Sequence, residues 1–228
     1  MKSKLIPDSW NINSGWGARL CSCKTKITDY MKLHGFCNIK EVPLTDGCQM
    51  VQMTISDAQD FSIDKFRYGL TTYAHVKLDR TLRVGKKYRV SIQSYFPERS
   101  NYKSTIHSRT GIKLFNKEIN TNNVGVIYTD NFLALDQLTT NKWNKSEWII
   151  APLCELNYLT VGFFSNDDVS NEIFHHFSNN WVRYYYFIDD IRVEEYEGDE
   201  EFVHYDCYDE SQVNIRSGLK DSLVLLFD

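Results

Sequence analysis

Proline and glycine are scarce: 4 Pro and 11 Gly in 228 residues, too few for a collagen-like or Pro/Gly-rich low-complexity chain. Charge of one sign is missing too. The 26 Lys and Arg stand against 30 Asp and Glu, a net charge of −4, so the basic footprint of a nucleic-acid binder is absent. No apolar run approaches the roughly 18 residues of a membrane-spanning helix. Met1-Lys2-Ser3-Lys4 is basic but no apolar h-region follows it, so the expectation is no membrane-spanning segment and no export signal in this chain. Also missing are a Gly-x-Ser-x-Gly elbow, a His-Glu-x-x-His pair and a Gly-rich phosphate loop, and with them the commonest legible forms of catalysis.

Apolar bulk is present instead. Hydrophobic residues make up 42% and aromatics 14%, with 14 Tyr and 13 Phe, enough for a sizeable sheet-on-sheet core. Six cysteines occur, four of them at Cys21, Cys23, Cys37 and Cys48. Cys21-Ser22-Cys23 has one intervening residue rather than the two of a zinc pair, so disulfides in an oxidising compartment, or buried thiols, are the reading.

The chain is organised around Tyr184 to Tyr196, Tyr-Tyr-Tyr-Phe-Ile-Asp-Asp-Ile-Arg-Val-Glu-Glu-Tyr, whose β-branched and aromatic content reads as a central strand. Strict alternation sets Tyr185, Phe187, Asp189, Ile191 and Val193 on one face, which turns the Asp189 carboxylate to the interior, where it needs a metal ion, backbone N–H groups or a basic partner. Other alternating runs are Met50 to Ile55, Gly69 to Asp79, Tyr88 to Phe96 and Asn157 to Ser165, with a turn at Val84-Gly85-Lys86-Lys87. Shorter candidates lie at Gly111 to Phe115, Val124 to Thr129 and Trp148 to Ala151. With no long helical period and no internal repeat, these predict an all-β fold, an antiparallel β-sandwich, over residues 1–196. Residues 197–228 read as an acidic tail ending in an apolar strand around Leu223 to Phe227.

Several stretches in order resemble the galactose-binding-like jelly rolls of Bacteroidetes-type envelope proteins. They are Leu5-Ile6-Pro7-Asp8-Ser9, Tyr73-Ala74-His75-Val76-Lys77-Leu78, Leu82 to Ser91 with its Gly85-Lys86-Lys87-Tyr88, Trp143 ahead of a strand, Tyr158 to Phe164, and Tyr185 to Ile191. The resemblance implies a two-sheet jelly roll related to carbohydrate-binding modules, located in the cell envelope or outside the cell. Such modules often precede an outer-membrane protein A type domain, whose start the tail from Leu219 to Asp228 resembles. It further implies a structural calcium held by Asp189, with Asp8 or a nearby carbonyl as partner.

Glycan recognition calls for aromatic planes flanked by hydrogen-bonding groups. Trp10, Trp16, Tyr73, His75, Tyr95, Tyr128 and Trp181 fall in loops or on the polar parity of strands and are the candidate ligand-binding residues. His175-His176 beside Asp167-Asp168 reads as a solvated loop, because adjacent residues of an extended chain face opposite ways. The expected function is non-catalytic binding, with a glycan as ligand. The alternative is a protein–protein module of a surface assembly that uses a sheet edge or the tail strand, and a glycoside-active enzyme ranks last.

Overall fold

The structure is a computed structural model, and it describes residues 3–4, 11–13, 19–22, 49–59, 67–71, 73–97, 109–119, 127–135, 139–165, 183–206 and 214–215. Among these residues every regular element is a strand. In chain order they are β1 (Ser3–Lys4), β2 (Asn11–Asn13), β3 (Arg19–Ser22), β4 (Gln49–Gln59), β5 (Arg67–Thr71), β6 (Tyr73–Leu82), β7 (Lys87–Tyr95) and β8 (Thr110–Phe115). The remainder are β9 (Ile127–Tyr128), β10 (Leu133–Ala134), β11 (Trp143–Pro152), β12 (Leu156–Ser165), β13 (Arg183–Tyr196), β14 (Val203–Tyr205) and β15 (Asn214–Ile215).

The long strands are laid alternately into two sheets. An eight-stranded sheet runs β14-β11-β7-β13-β4-β3, with β1 added to β13 and β5 to β4. A seven-stranded sheet runs β10-β8-β12-β6-β2, with β9 on β12 and β15 on β9. The chain therefore crosses from β4 to β6, back to β7, over to β8, and so on through β11, β12 and β13. The late strands slot between early ones: β13 lies between β4 and β7, and β12 between β6 and β8. That winding is a jelly roll. Pairing is antiparallel except for β11 with β14 and β12 with β9.

Alternation places the core where the sequence predicts it on β4, β6, β7 and β12, but not on the first half of β13. Val51 and Met53, Val90 and Ile92, and Tyr186 and Ile188 face inward from the larger sheet. They meet Ala74 and Val76, Ile112 and Leu114, and Leu159 and Val161 from the smaller one. Burying each such side chain is worth about 1.5–3 kcal/mol, and no single one carries the fold. The β6–β7 turn closes with the Lys86 N–H donating to the Arg83 carbonyl at 3.4 Å, and Gly85 occupies the left-handed region there at φ 81°.

Two expectations change. The sandwich does not stop at residue 196, because β14 adds to the edge of the larger sheet in parallel with β11. Tyr205 plugs the main core, its hydroxyl accepting the Leu114 N–H at 2.9 Å and its carbonyl accepting the Leu153 N–H at 2.9 Å. The second change is the facing of β13. Its register with β7 shifts between Asp189, opposite Gln93, and Arg192, opposite Ser91. Two residues, Asp190 and Ile191, thus stand against one, which is a β-bulge. Tyr186 and Ile188 face the core before it, Ile191 and Val193 after it, so parity reverses and Asp189 joins Phe187 on the outer side.

Candidate functional site

The outer side of the larger sheet is built in cross-strand rows. In the first, Trp143 of β11 pairs with Tyr95 of β7, Tyr95 with Phe187 of β13, and Phe187 with Gln52 of β4. Tyr95 and Trp143 are tilted at 57° with centroids 5.6 Å apart, and Tyr95 and Phe187 pack edge to face at 66° and 6.3 Å, the latter a geometry favoured by aromatic quadrupoles. Tyr95 and Phe187 are buried in a satellite cluster with Cys21 and Met50, whereas Trp143 is half-buried. One step along, the second row sets Lys145, Gln93 and Asp189 opposite one another. Lys145 is exposed, and Gln93 and Asp189 are half-buried.

The bulge holds Asp189 in that row. Its carboxylate accepts the N–H of Asp190 at 2.7 Å, while Asp190, at φ 48°, takes both guanidinium contacts of Arg192 at 2.8 Å. A third row follows with Glu147, Ser91 and Arg192. Lys145 pairs with Glu147 at 2.5 Å, and Arg89 reaches Glu147 at 3.4 Å and Glu200 at 3.3 Å while lying 4.5 Å from the centre of the Tyr196 ring. The face thus passes from an aromatic row through a mixed polar row to a ladder of ion pairs. Chemically it offers an apolar ring edge beside a primary amide and a carboxylate. That combination can hold a polyhydroxylated ligand.

The smaller sheet also carries a polar row on its outer side, with His75 of β6, Thr160 of β12 and Lys113 of β8 directly opposite one another. All three are buried. His75 Nδ1 shares a 2.7 Å hydrogen bond with Thr160 Oγ1, its ring stacks on Tyr158 at 5.3 Å, and its Nε2 has no hydrogen-bond partner among the described residues. Burial pushes the His75 imidazole below its ordinary value, with Glu118 pulling weakly the other way. Burial also lowers the Lys113 ammonium to about 8; it donates to the Asn131 carbonyl at 2.5 Å.

The candidate residues named from the sequence fare unequally. Tyr73 is buried, its hydroxyl donating to the Phe163 carbonyl at 2.6 Å and accepting the Ile127 N–H at 2.8 Å. It pins β9 to β12 and presents no platform. His75 is buried likewise, and Tyr95 contributes through the aromatic row. Tyr128 lies in β9 opposite Ser165 and Asn214, with its side chain outside the described residues. Trp10, Trp16, Trp181, Asp8 and the Asp167, Asp168, His175, His176 group also lie outside them.

Asp189 does not face the interior as expected, and its neighbour Asp190 is engaged by Arg192. Calcium takes about 6–8 oxygens, and among the described residues no three His, Cys, Asp or Glu are gathered as for a metal ion. These residues therefore do not by themselves make a calcium site. The sequence reading missed Trp143, Gln93, Phe187 and Lys145 as one surface, because only the strand register brings them together. Cys21, clustered with Tyr95 and Phe187, is disulfide-bonded, and Cys154 packs half-buried against the main core.

No protein-family model matches the sequence, and no curated protein sequence matches it. Similar solved structures include two cleaved adhesin domains of Lys-gingipain, the K1 domain from Porphyromonas gingivalis W83 and the K2 domain. K1 is 9% identical with a TM-score of 0.38, covering 86% of this chain and 98% of that one; K2 is 10% identical with a TM-score of 0.41, covering 85% and 98%. Another is the CBM22-1 xylan-binding domain of Xyn10C from Paenibacillus barcinonensis, 11% identical with a TM-score of 0.38, covering 87% and 95%. These likenesses are too slight to carry any property across. The jelly roll rests on the strand pairing itself.

Proposed function

We propose that this chain is a non-catalytic binding module that takes a glycan on the outer face of its eight-stranded sheet. The observation behind this is the half-buried Trp143, backed by Tyr95 and Phe187 and set beside Lys145, Gln93 and Asp189. A sugar ring has an apolar face and a rim of hydroxyls, so it needs an aromatic surface and flanking donors and acceptors at once. The disulfide at Cys21 supports an oxidising compartment, and with it the envelope or extracellular location that the resemblance implies. A structural calcium using Asp189 and Asp8 belongs to the same reading.

The test is a glycan array with the intact protein, with and without a calcium chelator, beside Trp143→Ala. Wild-type binding to a defined set of glycans, lost in the variant while its melting curve stays near wild type, supports the reading. Silence on every sugar would sink it. Loss with chelator alone would assign the calcium.

A protein partner is the second reading. Leu153, Phe202 and Val203 are exposed large hydrophobics clustered around β14, the edge strand of the larger sheet. Strand addition at such an edge is a common docking mode.

A further inference from the structure

We infer that Arg192 is a positioning residue for this face: by clamping Asp190 it fixes the β13 bulge that turns Asp189 into the polar row beside Trp143. The inference rests on the glycan reading for its purpose and on the bulge geometry for its mechanism. Without the extra residue, simple alternation would send position 189 to one face and Ile191 and Val193 to that same face. The core would then have to admit a carboxylate or reject two apolar side chains. The bulge resolves this conflict, and three hydrogen bonds among the described residues help to hold it. Asp190 adopts φ 48°, a left-handed conformation that Asp tolerates better than most non-glycine residues. Its N–H is bound by the Asp189 carboxylate at 2.7 Å, and its own two oxygens are bound by Arg192 Nε and Nη2, each at 2.8 Å.

The bulge is also where β13 changes neighbour. Up to Ile188 its second edge pairs with β4, and from Arg192 onward with β1. Arg192 thus anchors the bulge from the first residue of resumed pairing, with Lys4 on one side and Ser91 on the other. A fork of two parallel N–H donors fixes a carboxylate plane in a way that a lysine ammonium does not. A device of this kind sets where Asp189 sits without itself touching a ligand.

The experiment compares wild type, Arg192→Ala, Arg192→Lys and Asp190→Asn by hydrogen exchange of the 189–192 amides and by affinity for the best wild-type glycan from the array. Expected is faster exchange of the Asp190 amide, by tenfold or more, in Arg192→Ala, together with at least a tenfold loss of glycan affinity. The core amides of β12 should keep wild-type protection, and Arg192→Lys should rescue in part. Unchanged exchange at 189–192 in Arg192→Ala overturns the inference whatever the protein binds. Faster exchange with wild-type affinity also overturns it, because the bulge then has no bearing on the site. If wild type binds no glycan, the functional reading fails by itself, and the exchange result still decides whether Arg192 sets the bulge.

Discussion

At the scale of single residues, burial of polar groups makes sharp demands. His75 is buried, with one ring nitrogen unpartnered among the described residues and its imidazole held below its ordinary 6.5. Because the unfolded chain takes up the proton first, His75's contribution to stability is complete above about pH 6.5 and is lost as pH falls below that toward the folded-state value. A melting series should show this decline, and His75→Phe should flatten it. Lys113 is the cationic counterpart, lowered from 10.5 to about 8 by burial. Holding it charged at neutral pH costs roughly 3 kcal/mol, so stability should rise between about pH 8 and 10.5, where the unfolded chain still holds a proton that the folded one has released. Lys113→Met should be neutral or stabilising at pH 7 by up to about 2 kcal/mol, measured by urea unfolding. Tyr73→Phe leaves the Ile127 N–H and Phe163 carbonyl without the hydroxyl that joins them, and should cost about 1–3 kcal/mol.

At the scale of elements, short strands matter through their anchors. β14 has three residues, yet Tyr205→Ala should cost about 3–5 kcal/mol, since it removes a core side chain and the acceptor of the Leu114 N–H. A β10 of two residues is possible because Gly111, opposite Ala134, carries no side chain. A Cβ there would lie 2.1 Å from the Leu133 carbonyl oxygen. Gly111→Ala should therefore unfold the protein at markedly lower denaturant than wild type, whereas Gly85→Asn, in a left-handed turn with open space around it, should change the midpoint little. The long strands were legible before any coordinates. Ala74, Val76 and Leu78 on β6, and Leu159, Val161 and Phe163 on β12, lie in the core as their alternation requires. β13 was legible as a strand but not in its facing, because Asp189 and Asp190 adjoin and a bulge leaves the strand's composition unchanged. β10 and β14 escaped notice because two or three residues carry no readable period.

At the scale of the whole molecule, two aromatic clusters lie outside the main core, one on each sheet: Cys21, Met50, Tyr95 and Phe187, and Tyr73, Ile127 and Phe164. The first of them contains the disulfide-bonded Cys21. Reduction should lower stability by about 2–5 kcal/mol and loosen the aromatic row, so glycan affinity and melting temperature should fall together when reductant is added. Unchanged melting under reductant would show that the bond carries no weight. Composition and period by themselves determined an all-β sandwich with its inward residues, since apolar area and alternation are local properties that any two-layer packing must satisfy. The candidate surface was settled only by tertiary structure. Trp143, Gln93 and Asp189 are far apart in the chain, and which face each presents depends on register and on one inserted residue, both set by how neighbouring strands pair.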